Sequence, residues 1–118
     1  MKTKTFLVLF VGVLVALVSC QSTPNYKATE AAMHVGETAT VTDRVDGVEQ
    51  LSKGNTFLNM GGKHPNQAFT AYIPSASAGQ FPHPQQYKGR IVSVSGKIAL
   101  HKGKPEIVVT SPTQISTK

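Results

Sequence analysis

Between Gln50 and Pro105 the chain carries Lys53, Lys63, Lys88, Arg90, Lys97, Lys102 and Lys104 and neither an aspartate nor a glutamate. Such a stretch sets up a positive field suited to phosphate backbones, anionic lipid headgroups or acidic polysaccharide, or else a solvated basic surface that only aids solubility. Two of these lysines flank Gly103 in His101-Lys102-Gly103-Lys104-Pro105, a tight tip between Ile98-Ala99-Leu100 and Ile107-Val108-Val109. Other chemistries are poorly provided for. His34, His64, His83 and His101 are widely spaced and never at metal-ligand intervals, so neither a metal nor a cofactor is expected. Glu30, Glu37, Asp43, Asp46, Glu49 and Glu106 form no evident general acid–base pair. No serine sits in a nucleophile elbow, and Ser75, Ser77, Ser93 and Ser95 read as loop or strand surface. The expectation is a binding protein and not an enzyme.

The start of the chain is its most specific part. Met1-Lys2-Thr3-Lys4 supplies a positive region ahead of an apolar run from Phe6 to Val18, too short to span a bilayer as a folded element, so it reads as a secretion signal. The run closes on Leu17-Val18-Ser19-Cys20, which resembles the lipobox of bacterial lipoproteins. That resemblance implies cleavage before Cys20 and lipid, palmitate included, on its thiol and new N-terminus. The competing readings are an ordinary signal peptide with a chance cysteine, or an uncleaved anchor. Cys20 is the single cysteine, so the remainder can hold neither a disulfide nor a thiolate metal site. Acyl chains bury methylenes at about 0.8 kcal/mol each, enough in multiple copies to hold a protein at a membrane. Gln21 after the cysteine, in place of aspartate, implies the outer membrane, periplasmic side or surface, where the cell has two membranes. A lipid-anchored place in the cell envelope follows from the resemblance.

These boundaries divide the chain into a signal peptide over 1–19, a lipidated cysteine and polar tether over 20–33, and one small domain over 34–118. Helical periodicity is poor in that domain and alternation is good. Thr38-Ala39-Thr40-Val41-Thr42 opens a strand that continues through Val45 and Val48 past a bulge near Asp46-Gly47. Thr56 to Met60 and Gln67 to Ile73 are the second and third strands, separated by the glycine-bearing turn 61–66. Residues 75–86 are small and proline-bearing, fit for a loop or one short helix. Arg90 to Leu100 is a long fourth strand with Val92, Val94, Ile98 and Leu100 on one face and Gly96 in register where it must bend. Glu106 to Thr110 is the fifth, closed by Pro112. Five strands with a break between the third and fourth give an all-β chain, the order of the five-stranded Greek-key OB-fold barrel.

Tyr87-Lys88-Gly89-Arg90, Val94-Ser95-Gly96-Lys97-Ile98, the lysine tip and Ser111-Pro112-Thr113-Gln114-Ile115 resemble the closing half of bacterial OB-fold domains of the nucleic-acid-binding, anticodon-binding type. Thr56-Phe57-Leu58-Asn59-Met60-Gly61-Gly62 and Pro65-Asn66-Gln67-Ala68-Phe69-Thr70 resemble strands two and three of the same group. The resemblance covers about residues 34–116 and rests on turns and core positions, so it speaks to fold more than to ligand. OB-folds bind on the face of strands two and three, flanked by the loops after strands one and four. Those loops hold Lys53 and the Lys102–Lys104 pair. With Leu58 and Met60 inward, Phe57 and Asn59 face the ligand, and Tyr72 lies on the outward row of the third strand. The resemblance implies a base stacked on Phe57, with Tyr72 as its partner. The competing reading has Phe57 in the core and Tyr72 as an ordinary surface residue. The expected interface is thus Lys53, Phe57, Asn59, Tyr72, Lys97, His101, Lys102 and Lys104, with single-stranded nucleic acid as partner and little sequence preference. The alternative is an envelope interaction module for a protein, glycan or small anion.

Overall fold

The computed structural model describes residues 23–118, so the expected signal peptide and Cys20 lie outside the described residues. Seven strands follow one another: β1 (Asn25–Tyr26), β2 (Thr38–Gln50), β3 (Thr56–Met60), β4 (Phe69–Ile73), β5 (Ile91–His101), β6 (Lys104–Val108) and β7 (Ile115–Thr117). β2, β3, β4, β6 and β5 pair in that order, and β5 returns to β2, which closes the sheet into a ring. β4 and β6 run parallel and every other pairing in the ring is antiparallel. This is the OB-fold order expected from the sequence.

Two long strands make the closure possible because each serves two neighbours. β2 pairs β5 over Thr38–Arg44 and β3 over Val45–Gln50, with a register shift between Val45 and Gly47 at the expected bulge. A bulge sharpens local twist, and here it turns one strand from one side of the ring to the other. β5 makes the corresponding turn at Gly96, where an added Cβ would stand 2.7 Å from Ile107 Cγ2. No side chain fits there, which is why the strand bends at a glycine. The tip between β5 and β6 is a two-residue turn, tighter than the stretch from His101 to Pro105 read from the sequence, because His101 and Lys104 already pair. Lys102 and Gly103 hold φ of 52° and 79°, the left-handed pair of a type I′ hairpin.

The ring is filled by the expected alternation. Val41, Val45, Leu58, Met60, Phe69, Ala71, Ile73, Val92, Val94, Ile98, Ile107 and Val109 are fully buried. Leu100, expected on the same face, is 57% exposed; it stands beyond the Ile98–Ile107 pair, next to the tip and opposite the buried Pro105. Short 3-10 helices over Ser75–Gln80 and Pro84–Tyr87 carry the chain from β4 to β5, where a loop or one helix was expected.

The domain also begins earlier than its composition suggests. From Asn25 onward the expected tether is folded: β1 pairs parallel with β2, Asn25 opposite Thr40 and Tyr26 opposite Val41. A 3-10 helix over Ala28–His34 then buries Ala28 and Ala31 completely, and the Ala28 N–H donates to Asp43 Oδ2 at 3.0 Å. Alanines bury little area each and give no strong periodic signal, so this cap reads as linker in the sequence. Beyond Pro112, β7 adds to the outer edge of β5, a strand the sequence did not announce.

Candidate functional site

Register across the ring sets two rows of outward side chains on β2, β3, β4 and β6. Glu49, Phe57, Tyr72 and Val108 align in one, and Gly47, Asn59, Thr70 and Glu106 in the next. Leu58 and Met60 point inward and are fully buried, so Phe57 and Asn59 take the outward side as alternation requires. The Phe57 and Tyr72 rings stack with centroids 5.1 Å apart and planes 22° from parallel, and both are half-buried. Tyr72 donates its hydroxyl proton to Asn55 Oδ1 at 3.1 Å, and the same oxygen accepts from the Ser75 N–H at 2.8 Å. Tyr72 is therefore held from behind, while Phe57 lines a cleft of about 250 Å³.

The floor of that cleft is polar and unusually enclosed. Asn59 is 1% and Thr70 6% exposed. Gln67 Nε2 donates to Thr70 Oγ1 at 3.3 Å, and Thr70 donates on to Asn59 Oδ1 at 3.2 Å. The relay leaves Asn59 Nδ2 and Gln67 Oε1 buried without a partner. Reversing both amides reverses the direction of the relay and again leaves one donor and one acceptor. Each buried, unpaired polar group costs about 1–3 kcal/mol, so the pair marks a place where a ligand's own donor and acceptor are favoured. Gln67 and Thr70 were not expected in the site. Thr70 shared the outward row with Tyr72 in the sequence, but nothing there placed Gln67 beside it.

The walls come from the β5–β6 tip and from residues 61–68. His101 and Lys102 stand on one side and His64 and Pro65 on the other. Lys104 lies between them, and its ammonium donates to the carbonyls of Pro65 and of Gln67, the latter at 3.1 Å. It ties the two walls together, a role different from the free phosphate contact expected of it. Glu106 closes the floor, where burial pushes its carboxyl above the ordinary range and His101 partly offsets this.

A second depression of about 220 Å³ adjoins the first across Asn59 and His64 and is lined by Asp46, Gly47, Val48, Glu49, Lys63 and Lys88. Asp46 Oδ2 accepts from the Gly62 N–H at 2.7 Å, and the Gly89 N–H donates to the Val45 carbonyl at 2.8 Å, which seats Lys63 and Lys88 beside the bulge. The structure thus brings Phe57, Asn59, His101, Lys102 and Lys104 around one cleft with Tyr72 behind it. It does not bring the other two lysines there. Lys53 sits in the turn at the far end of β3 from the lysine tip, and Lys97 lies opposite Thr38 where β5 faces β2. The uninterrupted positive field expected for residues 50–105 is also broken in space, since β2 carries Asp46 and Glu49 onto the face of Lys63 and Lys88. Among the described residues, no three His, Cys, Asp or Glu side chains are placed to hold a metal ion.

No protein-family model matches the sequence, and no curated protein matches it. Solved structures with the same fold do exist. OBody AM1L10 bound to hen egg-white lysozyme shares 15% identity with a TM-score of 0.59 over 85% of this chain and 98% of its own. Two aspartyl-tRNA synthetase chains are also similar. That of Leishmania major Friedlin shares 14% identity with a TM-score of 0.53, and that of Entamoeba histolytica 16% with 0.53. They cover 89% and 95% of this chain, which spans only 22% and 28% of theirs. At such identities the likeness is one of fold.

Proposed function

We propose that the domain binds single-stranded nucleic acid, stacking one base on Phe57 over the Asn59–Thr70–Gln67 relay, with the strand's phosphates toward Lys102 on one side and Lys63 and Lys88 on the other. The observation that carries this reading is the exposed side of a buttressed aromatic pair set beside one unpartnered buried donor and one unpartnered buried acceptor. A nucleobase offers both a π-face and an edge with donors and acceptors, whereas a simple anion offers neither. Stacking and phosphate contacts accept any sequence, so preference is expected at the one position over the relay. The two aspartyl-tRNA synthetases support the reading by fold alone. The resemblance of residues 17–20 to a lipobox supports a place at the envelope, anchored through Cys20, and the scarcity of carboxylates supports binding without catalysis.

The test is fluorescence anisotropy of labelled oligonucleotides with the domain from residue 21 onward. Three unpaired lysines imply that log K falls with log salt at a slope of about −2, at about −0.7 per neutralised phosphate on a single strand. Phe57→Leu, which keeps an apolar side chain and removes the stacking surface, is expected to weaken binding about 5- to 100-fold, the equivalent of one stacked base. Affinity indifferent to salt, or unaltered in Phe57→Leu, sinks the proposal. A second reading, a protein partner, is favoured by Glu106, Glu49 and Asp46 on the same face and by the lysozyme-bound OBody. Oligonucleotide binding no stronger than that of a charge-matched control, with one stoichiometric partner recovered from envelope extracts, decides for it.

A further inference from the structure

Resting on the nucleic-acid reading above, we propose that the two depressions are compartments of one groove, and that the bare backbone at Gly47 is the saddle over which a polymeric ligand passes from the Phe57 cleft to Lys63 and Lys88. The ligand class is therefore a strand of several nucleotides, and a mononucleotide fills only the first compartment. Three observations converge on this. The compartments share Asn59 and His64, so they meet side by side across those two residues. Gly47 is the β2 member of the row that runs through Asn59, Thr70 and Glu106, so the line of the groove crosses β6, β4, β3 and β2. At about 4.8 Å between neighbouring strands this is about 14 Å, room for on the order of two to four nucleotides between fully stacked and extended spacing.

The third observation concerns the glycine itself. A glycine inside a strand weakens it, and Gly47 stands at the bulge where β2 shifts register, a place glycine often marks. Gly47 does not have positive φ, unlike Gly54, Gly61 and Gly62. An added Cβ would meet only Lys63 Cγ, at 3.8 Å, an ordinary contact. This is unlike Gly96, where a side chain would strike the core. What a side chain at 47 would occupy is the groove. Bare main chain at this bulge also leaves the solvent-facing strand open to close approach of a ligand backbone. At the far end Asp46 is occupied by the Gly62 N–H, with Arg44 Nε 3.8 Å from its other oxygen, which leaves Glu49 as the one acid there without such a partner beside Lys63 and Lys88.

The experiment uses the full chain in detergent and oligothymidylates of one to six nucleotides competing with a labelled hexamer. Affinity is expected to rise at least about tenfold from one to three or four nucleotides and then level off. Gly47→Val is expected to collapse that ratio while its melting temperature stays at or above that of the wild type. Lys63→Ala/Lys88→Ala provides an independent check, lowering the salt slope for the tetramer by about 1.4. Equal affinity for monomer and tetramer, or a well-folded Gly47→Val that keeps the full ratio, overturns the continuous groove and leaves the Phe57 cleft standing. Absence of binding at every length overturns the nucleic-acid reading itself, and this inference with it.

Discussion

Lys102 and Lys104 stand two residues apart in one hairpin and should answer to different assays. Lys104 is half-buried, with its ammonium shared between the carbonyls of Pro65 and Gln67. Hydrogen bonds to a charged donor contribute about 1.5–3 kcal/mol when enclosed, and partial exposure lets water replace some of that, which leaves about 1–2 kcal/mol for the pair. In a domain of this size each kcal/mol moves the melting temperature by roughly 4–8 °C, so Lys104→Met is expected to melt about 5–15 °C lower. Lys102 is exposed and sits at φ of 52°, a conformation asparagine adopts readily. Lys102→Asn should therefore keep its stability within about 0.5 kcal/mol and reduce the salt slope of oligonucleotide binding by about 0.7. Thermal melts followed by circular dichroism, with anisotropy titrations at several salt concentrations, read both quantities. If Lys104→Met melts with the wild type, or if the slope responds to Lys104 and not to Lys102, the division of labour drawn from the geometry is wrong.

Three further outcomes are expected. Burial raises the Glu106 carboxyl, so the folded state binds its proton more tightly than the unfolded state, and stability falls as pH rises from the ordinary value near 4.5 through the raised one. Glu106→Gln should flatten that stretch of the urea-midpoint profile and tighten oligonucleotide binding at neutral pH, and a profile parallel to the wild type would refute it. The Glu37 carboxyl is held below its ordinary range, first by the Tyr26 hydroxyl at 2.6 Å and then by His34 at 2.7 Å, with the Tyr26 and His34 rings stacked at 3.7 Å. Its contribution is present above the ordinary carboxylate value and lost as pH falls through the lowered one, so Glu37→Gln should be the less stable at pH 7 and converge with the wild type in acid. Gly96→Ala, which forces a Cβ against Ile107, is expected to lose about 1–3 kcal/mol by overpacking, and an unchanged denaturation midpoint would show that β5 bends for another reason.

The sequence by itself determined which way side chains point. Alternation put Leu58 and Met60 inside and Phe57 and Asn59 outside, because that choice is made by adjacent residues along one strand. Glycine and bulge signals placed the turns and bends for the same local reason, and the five-strand order of the ring followed. What only the tertiary structure decided is who meets whom. The acids before residue 50 and the lysines after it are separate in the chain, yet β2 pairs β3 and lays Asp46 and Glu49 beside Lys63 and Lys88. Lys53 and Lys97 look equivalent to Lys102 in sequence and stand away from the cleft, while Gln67, Thr70 and Glu106 enter it. Lys104 loses its freedom to two carbonyls on a loop distant in the chain. Alternation sets the face a residue occupies. Neighbours on a face come from strands paired across tens of residues, and their pairing is fixed by closure of the ring around its core.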